Sequence, residues 1–140
     1  MRLKDSANPP ACQWFDMTPE RLAWFAGLYE GEGTFCTQQR KTVVTGAGAT
    51  LMLQIQMVDE DIIRRCQSLW GLGTVRIYKS PQPNHQDLWR WAVYRQSEVM
   101  GVILKILPYL GDRRVQQVQD VLVKFASSSA EGRILEGVKK

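Results

Sequence analysis

Histidine is almost missing from this chain, with His85 the single copy in 140 residues. Cysteine is scarce as well: Cys12, Cys36 and Cys66 are odd in number, widely scattered, and form no Cys-x-x-Cys pair. A disulfide framework and a zinc site built from Cys and His are therefore not supported. No apolar run reaches about 18 residues, so no membrane-spanning helix and no membrane partner are expected. The opening residues lack the apolar core and small-residue cleavage site of a secretory signal. The expected setting is a reducing intracellular one, the cytoplasm.

What is present is ordinary for a globular domain: 44% hydrophobic and 23% charged residues. A chain of this length folds as one domain with a real core. Lys and Arg number 18 against 14 Asp and Glu, a net charge of +4 that favours an anionic partner modestly.

The pattern is organised around residues 22–35, a helix running into two acids that alternate with glycines. Thr18-Pro19 is a helix start, with a hydroxyl at the N-cap and proline at the first helical position. Leu22, Phe25, Ala26 and Tyr29 fall on one core-facing stripe. Ala23, Gly27 and Glu30 with Gly31 form a second strip, small enough for another helix backbone to approach. Gly27 in mid-helix costs about 1 kcal/mol relative to alanine, and close helix contact is the simplest reason for it. Gly31 and Gly33 allow backbone angles that other residues resist, so a sharp turn is expected there. Glu30 and Glu32 put negative charge at the end of a helix whose macrodipole prefers cations. A bound cation would reverse that penalty.

Downstream, strands are predicted at Thr34–Arg40, Thr50–Met57, Thr74–Tyr78 and Leu88–Tyr94. Helices are predicted from an Asp59 cap to Trp70, from Ser97 to a stop at Pro108, and from Arg113 to Phe125. Residues 1–17 read as an N-terminal extension, 18–126 as the domain, and 127–140 as a flexible C-terminal tail beginning at three serines. The order is α-β-β-α-β-β-α-α, an α+β fold with a four-stranded antiparallel sheet and helices on one face. The other face would carry Thr34, Gln38, Arg40, Gln54, Gln56, Arg76, Tyr78 and Arg90. It is polar and basic without acids, and Arg, Gln and Thr can read base edges in a major groove. Trp89 and Trp91, two apart and in step with Val93, are expected in the core.

Phe25-Ala26-Gly27-Leu28-Tyr29-Glu30-Gly31-Glu32-Gly33 resembles the signature nonapeptide of the LAGLIDADG homing endonucleases. The Ala-Gly-Leu run, the acids at the sixth and eighth positions, the small seventh residue and the final glycine match. Phe25 and Tyr29 replace aliphatic residues, and glutamates replace both aspartates. The element order is also the one the family implies, so the resemblance runs from about Thr18 to Phe125. It implies a site-specific double-strand DNA endonuclease, encoded in a mobile element such as an intron, that hydrolyses phosphodiesters with Mg²⁺ or Mn²⁺. One motif per chain implies a homodimer on a long pseudo-palindromic site, with Ala23, Gly27, Glu30 and Gly31 at the helix interface.

The resemblance also implies roles residue by residue. Glu32 is the metal ligand from each subunit, with the Gly31 carbonyl assisting, and Arg113 is the basic residue near the scissile phosphate. Where characterised members have a glutamine after the second strand, this chain has Met57, with Gln56 one position earlier. That departure and the glutamate replacements at Glu30 and Glu32 support a second reading on the same fold: a nucleic-acid-binding protein that has lost cleavage, an RNA splicing maturase or a DNA-binding regulator.

Overall fold

The computed structural model describes residues 17–39 and 49–138. Arg40 and the rest of the first hairpin loop lie outside the described residues, as does nearly all of the N-terminal extension. The elements are α1 (Pro19–Glu32), β1 (Gly33–Gln39), β2 (Ala49–Met57), α2 (Glu60–Trp70), β3 (Thr74–Tyr78), β4 (Leu88–Val93), α3 (Gln96–Ile106), a 3-10 turn (Leu107–Tyr109) and α4 (Asp112–Val138). The sheet order is β1-β2-β4-β3 with every neighbour antiparallel. This is the α+β arrangement expected from the sequence.

Local chemistry explains most boundaries. Thr18 accepts the amide of Arg21 through its hydroxyl at 3.2 Å and Pro19 opens α1. Asp59 is the N-cap residue of α2, but its side chain makes no capping bond. Gly71 closes α2 in the left-handed region at φ 69°, and Gly73 follows at φ 89°. Trp91 donates its indole N–H to the Leu72 carbonyl between them at 2.9 Å, fixing this turn to the sheet. The last helix runs on to Val138, past Phe125 and past the Ser127–Ser129 run where the sequence reading ended it and began the tail. Serine costs a helix only a few tenths of a kcal/mol, about half the penalty of glycine, so three serines do not break one.

The core lies between one face of the sheet and the helices. Phe35, Leu51, Leu53, Ile55, Trp91 and Val93 meet Phe25, Ala26 and Tyr29 from α1, Ile63, Cys66 and Trp70 from α2, and Val118 from α4. Val99, Val102, Ile103 and Ile106 close it from α3. Phe25 sits edge-on to Trp70 and Trp91, with ring centroids 5.3 and 5.4 Å away, and so joins α1, α2 and β4. Trp91 is fully buried, while Trp89 packs at the margin under Arg64. Both tryptophans therefore belong to the packed side of the sheet, away from the open face.

The glycine at the end of α1 is needed for a different reason from the one expected. Gly33 has φ −77° and ψ 152°, ordinary extended backbone, and no positive φ occurs at Gly31 or Gly33. A Cβ at Gly33 would instead overlap the ring of Tyr29, which is fully buried and cannot yield. Gly33→Ala is expected to destabilise the fold by about 1–3 kcal/mol, or more if the ring is expelled. Urea unfolding measures it.

Burial also sets the alkaline limit of the fold. Burial pushes the Tyr29 phenol up to about 12, against a smaller downward pull from Arg114, and pushes the Cys66 thiol up to about 12. Both groups are neutral when folded and ionise near their ordinary values of about 10 and 8.5 when unfolded. Stability is therefore complete below about pH 8.5 and falls as pH rises toward 12, where the unfolded chain holds fewer protons than the native one. The Tyr29 hydroxyl is buried with no hydrogen-bond partner among the described residues. Tyr29→Phe is thus expected to be neutral or stabilising at pH 7 and to lose less stability than wild type between pH 9 and 11. Denaturant midpoints at the two pH values check the sign.

Candidate nucleic-acid interface and metal site

Two surfaces carry the residues that sequence reasoning singled out. The first is the open face of the sheet. Strand register aligns Thr34, Gln54, Ala92 and Thr74 in one row across all four strands, and Gln56, Arg90 and Arg76 in the next. Gln38 lies farther along β1 opposite Thr50, and Tyr78 pairs with Leu88 at the end of β3. Of the eight residues expected on this face, seven share it, and Arg40 is outside the described residues. No acid stands on this face among the paired positions. Met57, by contrast, points to the packed side and contributes to the core.

Within this face Arg90 is the most constrained side chain. Its Nε and Nη2 both donate to Gln56 Oε1, at 3.0 and 2.8 Å, and its Nη1 donates to the Tyr78 hydroxyl at 3.0 Å. Its guanidinium carbon also lies 4.3 Å from the Tyr78 ring centroid. Arg76 is exposed, and no ion pair or hydrogen bond engages its side chain among the described residues.

The second surface is the C-terminal half of α1. Ala23, Gly27 and Gly31 are all exposed. A Cβ added at Gly27 or Gly31 would meet nothing within 4 Å, so no packing among the described residues requires either glycine. Glu32 is the last residue of α1, exposed, and without a hydrogen bond or ion pair among the described residues. No cluster of three or more His, Cys, Asp or Glu that could hold a metal occurs among the described residues of one chain. Glu32 and the Gly31 carbonyl are hard oxygen donors of the kind that suits Mg²⁺ or Mn²⁺, and one protomer offers a single carboxylate of this set.

Glu30 is different. Its Oε1 accepts the backbone N–H of Gly111 at 2.7 Å, and its Oε2 lies 3.8 Å from Arg114 Nε. Gly111 immediately precedes α4, and its carbonyl accepts the Val115 amide, so Glu30 places its charge at the positive end of that helix. The penalty foreseen for an acid at the end of α1 is offset by the start of a second helix and by the Arg114 guanidinium beside it. The structure turns this side chain toward its own chain.

Arg114, not Arg113, is the arginine this geometry engages. It is buried, and its Nε donates to the Glu30 backbone carbonyl at 3.1 Å while Nη1 donates to Gln117 at 2.7 Å. Arg113 is exposed and, among the described residues, has no partner. The signal was in the helical period: Arg114 lies in register with Val118, Val121 and Phe125 on the packed side of α4, and Arg113 does not. Arg114→Leu takes the side-chain donor from the Glu30 backbone carbonyl and removes the charge beside the Glu30 carboxylate, and is expected to cost about 1–3 kcal/mol. Arg113→Leu is expected to stay within about 0.5 kcal/mol. Thermal or urea unfolding of the pair separates them.

Against solved structures the chain has the fold of the LAGLIDADG homing endonucleases. The homing endonuclease I-CvuI, crystallised on DNA in the presence of Mg or Ca, superposes with a TM-score of 0.58 at 22% identity, over 74% of this chain and 65% of that one. I-CeuI, a group I intron-encoded homing endonuclease complexed with DNA, gives 0.58 at 16% identity over 76% and 54%. The archaeal intron-encoded I-Vdi141I, also complexed with DNA, gives 0.52 at 20% identity over 64% and 55%. The chain thus spans a little over half to about two thirds of these proteins. No protein-family model and no curated protein sequence matches it.

Proposed function

We propose that this chain is one protomer of a homodimeric, metal-dependent endonuclease that cuts both strands of a long, pseudo-palindromic duplex DNA site. The observation that carries the reading is the emptiness beside Gly27 and Gly31. Gly27 in the middle of α1 costs stability, and neither it nor Gly31 has a packing partner among the described residues. A second α1 packed along Ala23, Gly27 and Gly31 gives them their reason, and two-fold pairing there brings the Glu32 carboxylates of both protomers together. Two such carboxylates repel unless a cation lies between them.

In that setting the Glu32 pair and the Gly31 carbonyls would hold Mg²⁺ or Mn²⁺. The ion, when bound, supplies activation of a water and stabilisation of the leaving oxygen. The rest is this chain's own work. Arg113, without a partner among the described residues and at the first turn of α4, is available to a phosphate oxygen where negative charge builds. Glu30, Gly111 and Arg114 fix the end of α1 from which Glu32 projects. The open sheet face, through Thr34, Gln38, Gln54, Gln56, Arg76, Tyr78 and Arg90, with Arg40 beside it in sequence, lies against the groove. The DNA-bound state of the similar structures supports this placement.

Met57, turned into the core, supports a second reading in which the same face binds nucleic acid and no cleavage follows. The test is incubation of the full chain with a randomised duplex library in Mg²⁺ or in chelator. Metal-dependent double-strand cutting is expected. Selective retention of duplex without cutting would replace the nuclease with the binding protein.

A further inference from the structure

Arg90 stands in an unusual balance of held and unneutralised. Along the row Gln56–Arg90–Arg76 two arginines are direct cross-strand partners, an arrangement that like-charge repulsion disfavours. The partners of Arg90 are a side-chain amide and a tyrosine hydroxyl, with no acid bonded to it among the described residues. The guanidinium is fixed from two sides, yet its charge is undiminished.

The donor count is specific. A guanidinium has five N–H groups, and Nε, one of Nη2 and one of Nη1 are used within the face. One N–H is left on each terminal nitrogen. Free donors on both terminal nitrogens of one planar guanidinium suit the O6 and N7 acceptors that guanine alone presents in the major groove. The rotamer freedom an arginine loses on binding is already spent in the free protein, because Gln56 and Tyr78 hold the fork before DNA arrives.

We propose that Arg90 is a specificity-determining residue that reads one guanine at a fixed position in each half-site, and that Gln56 and Tyr78 position it instead of reading bases themselves. This rests on the duplex-DNA reading above. It differs from a general basic face in assigning three side chains to one base pair. A-form RNA closes its major groove to side chains, so the match is to duplex DNA.

The experiment is selection of the full chain on a randomised duplex library with Ca²⁺ in place of Mg²⁺, followed by sequencing of the retained duplexes. Wild type is expected to enrich guanine at two positions related by two-fold symmetry. Arg90→Lys keeps the charge but loses the fork, and is expected to lower the guanine preference at those two positions about five-fold to a hundred-fold, leaving other positions unchanged. Tyr78→Phe keeps the ring, removes the acceptor, and is expected to weaken the same two positions and no others. Selective retention with the guanine preference intact in Arg90→Lys would overturn the assignment and leave DNA binding standing. A different position altered by Tyr78→Phe would make Tyr78 a reader and overturn its positioning role. Failure of wild type to retain any duplex would overturn both the assignment and the reading beneath it.

Discussion

Glu32→Gln is expected to bind duplex DNA as wild type does and to cut it on the order of 10³-fold more slowly. The number follows from the several kcal/mol of transition-state stabilisation that a bound metal supplies, about 4 kcal/mol for three decades of rate. The substitution keeps the size and polarity of the side chain and removes its charge. Because Glu32 is exposed at the helix end and unpartnered among the described residues, the fold is expected to change by less than about 0.5 kcal/mol. Lost cutting can then be assigned to chemistry. Cleavage rates in Mg²⁺ beside gel-shift affinities in Ca²⁺ measure the two quantities separately. Equal losses in both would move Glu32 from the chemistry to the DNA contact.

Gly27→Leu is expected to give a folded monomer. Nothing among the described residues lies within 4 Å of the new Cβ, and leucine favours a helix over glycine by nearly 1 kcal/mol. The isolated protomer should therefore become slightly more stable. Along a close helix crossing the same side chain separates two backbones that glycine allows to touch, and overpacking of 1–3 kcal/mol on each side of a two-fold interface weakens association by roughly 10²-fold or more. Sedimentation of wild type and variant over a concentration series reads the association, and urea unfolding reads the protomer. Stability rising while association falls is the signature of a glycine kept for a partner.

Much of this was legible in the sequence because it depended on local period and local chemistry. The stripe Leu22, Phe25, Ala26, Tyr29 and the Thr18-Pro19 start determine α1, and the alternation of Leu53 and Ile55 with Gln54 and Gln56 determines which residues of β2 face the helices. Alternation in each strand also placed Arg76 and Arg90 on one face, although they are 14 positions apart in sequence. What sequence could not give was contact between distant segments. Glu30 looked exposed to its own helix end because nothing nearby reveals that Gly111, 81 residues on, meets it. Gly33 looked like a backbone requirement, and only the packing of Tyr29 beneath it shows a steric one. Arg113 and Arg114 are neighbours in sequence, and a single step of helical phase decides which is buried. The end of α4 was missed for a plainer reason: polar composition is a weak stop signal when neither proline nor a capping motif accompanies it.

The pairing of two α1 helices into one cutting site is most directly tested by the ends that wild type and Gly27→Leu generate from the same randomised duplex library in Mg²⁺. The account predicts double-strand cuts within two-fold symmetric sites from wild type, and no double-strand cuts from the monomeric variant. A Gly27→Leu monomer that cuts both strands as wild type does would contradict it.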